Sequence, residues 1–244
     1  MWTSYRDRPD LIESELSGLA FDSLQCVFRP KDIANMYDQP SLPPMLSETI
    51  YIMVDPAAGG PQSDYAFISF TRMKGMVQSL IVLCFAEPDR QFAMIEDHIN
   101  RLRDSRPHWL CSEVKIYVER NLGFEAEHHK LALQHLPGVS FRMDPGCDRV
   151  GVYTTQPIKH AMSTLLNTMM RDNRVHILHP VVTKDQGNLE RLREQLNVYS
   201  YQFKLGVTTF QTDRCAISGK IGGMKDDICI ALQLGIYFTD IDTR

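Results

Sequence analysis

Thr49-Ile50-Tyr51-Ile52-Met53-Val54-Asp55-Pro56 is the stretch on which the fold turns. Ile50, Ile52 and Val54 alternate with Tyr51 and Met53, the two-residue period of a strand, and the run stops at Asp55-Pro56. Working forward, a Gly59-Gly60-Pro61 turn precedes a second β-rich run from Tyr65 to Arg72. Lys74-Gly75 then reads as a hairpin turn into a third strand, Val77 to Phe85. Three consecutive strands joined by short turns predict an antiparallel meander.

Beyond the meander the period changes. Pro88 opens a helix with Phe92, Ile95, Ile99 and Leu102 at helical spacing. Val114, Ile116 and Val118 alternate along a strand that ends in Glu119. A helix from about Phe124 to His135 and a short strand around Val139 to Met143 follow. Pro157 starts a long helix through Ile158, Met162, Leu165, Leu166 and Met169, and Val175-His176-Ile177 is the next strand. Leu189, Leu192 and Leu196 mark another helix, and Tyr199 to Phe210 reads as a hairpin. The last helix runs from about Met224 to Asp240, after the Gly222-Gly223 turn. A meander followed by alternating helices and strands predicts a mixed sheet with helices on its faces, an α/β layered domain.

Working backward, residues 1–48 read as a lead-in to a main domain of residues 49–244. Asp10 caps a short amphipathic helix through Leu11, Ile12, Leu16 and Leu19, and a loop with Pro40, Pro43 and Pro44 follows.

With 244 residues the chain can bury one sizeable core. Its longest apolar run, Leu80 to Ala86, is strand-sized, and the N-terminus lacks a signal-peptide layout. Neither secretion nor a membrane is expected. The six cysteines are scattered without a C-x-x-C pair, which argues against a zinc site or a disulfide framework. A net charge of -4 excludes a surface basic throughout. It does not exclude nucleic acid, because carboxylates that hold metal add negative charge which local Lys and Arg patches offset.

The informative residues are the acids. Asp55 closes the first strand, Glu119 closes the strand after the first crossover helix, and Asp226-Asp227 open the last helix. Strand ends beside helix starts are where α/β sheets present chemistry. Singly, each acid has an ordinary explanation, since Asp caps helices and suits turns. A glutamate closing the apolar run Ile116-Tyr117-Val118 is poorly explained as a solvated turn, so the joint pattern favours a site. Hard cations such as Mg²⁺ or Mn²⁺ prefer carboxylate oxygen. Two of them roughly 4 Å apart activate water and stabilise a departing oxygen in phosphodiester cleavage. His128, His129 and His135 read as polar surface or capping residues. His176 and His179 flank a strand end that could approach the acids. Met162, Met169 and Met170 read as adaptable core filling.

These residues resemble the nuclease domain of the large terminase subunit, the DNA-packaging enzyme of tailed phages and herpesviruses. The matching stretches are Ile52-Met53-Val54-Asp55-Pro56-Ala57 with Gly59-Gly60 and Asp64-Tyr65-Ala66; Ile116-Tyr117-Val118-Glu119-Arg120-Asn121; and Lys225-Asp226-Asp227-Ile228 with Ala231-Leu232. A weaker stretch runs from Thr154-Thr155 through Lys159 to Leu165-Leu166 and Arg174-Val175-His176-Ile177. Residues 11–38 are similar to the family's segment joining motor to nuclease. Together these cover nearly the whole chain.

The resemblance implies a ribonuclease H-like fold and two-metal cleavage of concatemeric double-stranded DNA during viral genome packaging. Asp55, Glu119 and Asp226 would be the catalytic acids, with Asp227 and Asp64 as auxiliary ligands for two Mg²⁺ or Mn²⁺ ions. Lys159, Arg120, Lys220 and Lys225 are the candidate DNA contacts. Implied partners are viral DNA, an ATPase motor domain of the same full-length protein, other terminase subunits and the portal. The setting would be the host nucleus for a herpesvirus and the host cytoplasm for a phage. No G-x-x-x-x-G-K-[ST] loop occurs, because Gly219-Lys220 lacks the spacing and the following Ser or Thr, so ATP hydrolysis is not assigned to this chain. The run Gly59 to Asp64 departs from the herpesvirus pattern. Two other readings share the acids: a junction-resolvase or transposase-like nuclease, and a non-catalytic docking module of a packaging motor.

Overall fold

Thr49–Asp55 forms the central strand, β1, as its alternation predicts. The computed structural model describes residues 26–37, 49–56, 64–73, 76–85, 90–104, 113–121, 123–177, 186–202, 216–220 and 225–243. In chain order their elements are α1 (Pro30–Tyr37), β1, β2 (Tyr65–Met73), β3 (Met76–Phe85), α2 (Gln91–Asp104), β4 (Glu113–Val118), α3 (Glu125–Leu133) and β5 (Val139–Phe141). Next come β6 (Met143–Asp144), β7 (Arg149–Val150), α4 (Gln156–Arg171), β8 (Val175–Ile177), α5 (Gln186–Val198), β9 (Ser200–Gln202), β10 (Ala216–Ser218) and α6 (Asp227–Asp242).

The main sheet has the order β5-β4-β1-β2-β3-β8. β1, β2 and β3 pair antiparallel as a meander, while β4 joins β1 and β5 joins β4 in parallel. β8 joins the far edge parallel to β3. The predicted mixed α/β sheet is therefore present, three antiparallel strands followed by parallel ones, with six helices among the described residues.

Strand alternation divides the core in two. Ile50, Ile52, Val54, Val114, Ile116 and Val118 pack with Ile95 and Ile99 of α2 and Ala126 and Leu133 of α3. Met53 and Tyr117 point to the opposite face, where α4, α5 and α6 lie. α6 is buried almost all round, from Asp227 through Ile236, the pattern of a helix inside a domain. At about 1.5–3 kcal/mol for each fully buried large apolar side chain, Ile228, Leu232, Leu234 and Ile236 fix this helix firmly against the sheet.

Some expectations change. α1 has no counterpart among the predicted elements; with Val27 and Phe28, its Ile33 and Met36 are buried in the core shared with α6. β9 pairs with Ala216–Ser218, so the partner strand lies beyond the Tyr199–Phe210 stretch read as a self-contained hairpin. A strand read as continuous from Val139 to Met143 is split, and β6 turns back onto β7. The Asp10 helix and the turns at 59–61, 74–75 and 222–223 lie outside the described residues.

Candidate metal centre

Asp55 and Glu119 are brought together by strand register. β1 and β4 run parallel with Val54 opposite Val118, and the Glu119 N–H donates to the Val54 carbonyl at 2.9 Å. Val54 and Val118 belong to the α2–α3 face. The next residue in each strand must then point to the other face, toward α6. Two carboxylates thus emerge side by side from one sheet end, facing the start of the helix that carries Asp226 and Asp227. A second chain segment supports Glu119 from behind, through a parallel bridge to Val152. That approach needs glycine at 151: its φ is +99°, and a Cβ there would lie 2.6 Å from the Val118 carbonyl oxygen.

The loop before α6 orients its acids. Asp226 occupies the N-cap position but does not cap its own helix. Its Oδ2 instead accepts the Gly219 N–H at 2.8 Å and the Ser218 hydroxyl at 3.3 Å, and Lys220 Nζ lies 3.9 Å from its Oδ1. Asp227 Oδ2 accepts the backbone N–H of Asp64 at 3.0 Å, which ties α6 to the start of β2. Asp64 in turn is neutralised, with Lys225 Nζ on its Oδ1 and Arg191 Nη1 3.7 Å from its Oδ2.

All five carboxylates are buried. The Asp55 carboxyl is pushed well above the usual carboxylate range, first by burial and then by the charge of Glu119, a hydrogen bond with it, and the charges of Asp227 and Asp226. No group of three or more acids, histidines or cysteines among the described residues is already set around a single point as a cation cage. The reason is visible: Asp55 is engaged with Glu119, Asp226 with Gly219, and Asp227 with Asp64. The chemistry of the set still fits hard cations. Its donors are carboxylate oxygens, and its mutual repulsion is what a divalent ion relieves.

The remaining candidates fall in different places. Arg120 turns to the opposite side of β4 from Glu119; its guanidinium bonds Asp144 and lies over the Tyr153 ring. Lys225 is committed to Asp64, whereas the exposed Lys220 stays beside Asp226. Lys159 lies in the first turn of α4, its ammonium without a hydrogen bond or ion pair among the described residues. The histidine readings need correction. His129 is a buried core residue, with its ring nitrogens paired to the Tyr65 hydroxyl and the Glu125 carbonyl at 2.6 Å each. His128 and His135 are on the surface as expected. His176 pairs with Gln78 near the start of β3, whereas Asp55 lies level with Ala66 and Cys84 near its end. His176 is therefore at the wrong end of the sheet, and His179 lies outside the described residues. Met162, Met169 and Met170 are buried core.

Sequence reasoning passed over Asn121, whose amide donates to Glu119 Oε1 at 3.1 Å and to the Thr154 carbonyl at 3.2 Å, and accepts the Thr154 N–H at 3.0 Å. Only its place two residues after Glu119 hinted at this. Nothing in the sequence linked Gln195 to Cys229 or Gly219 to Asp226, because these partners are 34 and 7 residues apart.

By sequence, no family model and no curated protein matches this chain. By structure, the Mn-soaked human cytomegalovirus terminase nuclease domain gives a TM-score of 0.58 at 15% identity, over 87% of this chain and 95% of that one. The nuclease domain of the terminase large subunit of bacterial virus Sf6 gives 0.52 at 10% identity, over 86% of this chain and 98% of that one. The large terminase of a thermophilic bacteriophage gives 0.51 at 10% identity, over 89% of this chain and 45% of that one. The chain has the ribonuclease H-like α/β fold of the terminase large-subunit nuclease domains.

Proposed function

We propose that this chain is the metal-dependent endonuclease domain of a terminase large subunit, cutting concatemeric double-stranded DNA during viral genome packaging. The observation that carries the proposal is the buried Asp55–Glu119 carboxyl pair under the charges of Asp226 and Asp227, on a fold shared with terminase nucleases. The Mn-soaked cytomegalovirus domain and a manganese-containing variant of the Sf6 domain supply the precedent for the cation.

In this reading Asp55 would be the central ligand, because it feels the charges of Glu119 and of both α6 acids. Glu119 and Asp226 would hold two Mg²⁺ or Mn²⁺ ions together with Asp55, with Asp227 and Asp64 as auxiliary ligands. When bound, the ions supply an activated water and a charge to stabilise the departing 3′ oxygen. The chain's own residues do the rest. Burial keeps bulk water from the carboxylates, Asn121 and the Ser218–Gly219 donors hold two of them in place, and Lys220 and Lys159 offer charge to the phosphate backbone. No side-chain nucleophile is required. The motor domain of the same full-length protein, other terminase subunits and the portal are the proposed partners, in the host nucleus or cytoplasm according to the virus.

The test is plasmid nicking with Mn²⁺. Wild type should nick, while Asp55→Asn should bind DNA and fail to cut. Absence of Mn²⁺-dependent nicking by wild type would favour a docking module. Preferential cutting of a four-way junction over plasmid would favour a resolvase.

A further inference from the structure

Among the described residues, two large aromatic side chains stand mostly in water, Phe124 at 76% exposure and Tyr153 at 50%. Both lie at the sheet end that carries the acids. Tyr153 follows Val152, the residue bridged to Glu119, and Phe124 follows the short turn after Asn121. Exposed apolar rings are ordinary when scattered singly, but here Phe124 borders a cavity and Tyr153 stands against Arg120, which lines the same cavity. It measures about 220 Å³ and is lined by Arg120, Phe124, Ala126, Glu127, Arg149 and Val150.

The chemistry of the lining narrows the ligand. Arg120 is already engaged by Asp144, and its guanidinium lies 5.4 Å from the Tyr153 ring centre, so it braces that ring. Glu127 on the wall repels a phosphate and suits an exocyclic amino group of a base. The exposed Arg149, whose side chain has no ion pair or hydrogen bond among the described residues, can meet the phosphate outside the cavity. We infer that Phe124 and Tyr153 form a base-stacking platform that holds unpaired bases of the DNA strand beside the cutting centre, with Arg149 on its backbone. The platform lies on the opposite side of β4 from the Glu119 carboxylate, so it grips nucleotides neighbouring the cut. This inference rests on the nuclease reading. It adds that the preferred substrate is locally unpaired there, since stacking faces cannot reach bases inside an intact duplex.

The test measures binding without cutting, in chelator, using fluorescent duplexes that are fully paired or carry an internal four-base bubble. Wild type should prefer the bubble. Phe124→Leu and Tyr153→Leu, which keep bulk and lose the aromatic face, should each weaken bubble binding by about tenfold and paired-duplex binding far less. Phe124→Tyr should restore the preference, and Leu131→Ala, removing another exposed apolar residue of α3, should change neither. Circular dichroism confirms that each variant is folded. Equal wild-type affinity for both duplexes, or leucine variants that retain the preference, would overturn the platform. Mn²⁺-dependent nicking is scored separately: nicking without the preference sinks the platform alone, and the preference without nicking sinks the nuclease reading alone.

Discussion

The Gln195 side chain accepts the backbone N–H of Cys229 at 2.9 Å, inside the protein. Cys229 is the third residue of α6, whose N–H an N-cap side chain would normally take. Asp226 sits at that N-cap and leaves the N–H alone, giving its carboxylate to Gly219 and Ser218. A glutamine from a neighbouring helix thus caps α6 and releases the aspartate for the acid cluster. The same buried network continues from Cys229 Sγ to Gln233 and from Gln233 to Ser163.

Gln195→Leu should therefore leave a buried donor unpaired and cost about 1–3 kcal/mol of stability. Thermal melting should show a fall of several degrees, and Mn²⁺ titration should show weaker binding as Asp226 is drawn back to cap its own helix. An unchanged affinity would mean that Asp226 is held by the Ser218–Gly219 segment alone.

Asn121 is the corresponding support for Glu119. Asn121→Ala removes the donor to Oε1 and the link to Thr154. Loss of such a support beside a metal ligand lowers affinity or activity by roughly 10- to 100-fold. The deficit should appear in the Mn²⁺ concentration giving half-maximal nicking more than in DNA affinity. Equal losses in both would point to general disruption of the β4–α4 connection.

Asp55→Asn should stabilise the metal-free protein. The native carboxyl is buried, faces Glu119, and feels Asp226 and Asp227. A neutral amide removes that repulsion, at a gain of about 1 kcal/mol, as when a residue kept for chemistry is relaxed for stability. Melting in chelator should therefore shift upward, and Mn²⁺ should raise the midpoint of the wild type but not that of the variant. A variant that melts lower in chelator would show that the Asp55–Glu119 hydrogen bond outweighs the repulsion.

Two buried histidines set an acid limit. Burial, with the Arg101 charge, lowers the His98 ring to about 3, and burial lowers the His129 ring to about 4. Both folded values lie below the unfolded value of about 6.5, so both rings fold neutral. Their contribution is complete above about pH 6.5. It is lost as pH falls toward 4 and 3, each adding a slope of about 1.4 kcal/mol per pH unit. Urea unfolding from pH 7 to pH 4.5 should show this decline, and His129→Gln should make it shallower by one proton's worth. An unaltered slope would contradict the assignment.

The fold was legible where pattern is local. Alternation found β1 and β4, β-rich runs between turns found β2 and β3, and helical spacing found α2, α4 and α5, because side-chain period is set by the element itself. The partner of β9 was missed because it lies across residues 203–215, a pairing that no local period encodes. The acids were legible as strand ends and a helix start, and alternation from Val54 and Val118 explains why Asp55 and Glu119 share a face. Their supports were not. Gly219 drew notice only as part of a failed phosphate loop, although its N–H holds Asp226. His129 looked like surface because α3 has little amphipathic signal, and its burial depends on Tyr65 and Phe92 from other elements.

The most direct measurement is manganese anomalous scattering from a crystal of this chain soaked in Mn²⁺. Two peaks are expected among the carboxylates, one between Asp55 and Glu119 and one between Asp55 and Asp226. A fully soaked crystal with no peak at these acids would contradict the two-metal reading.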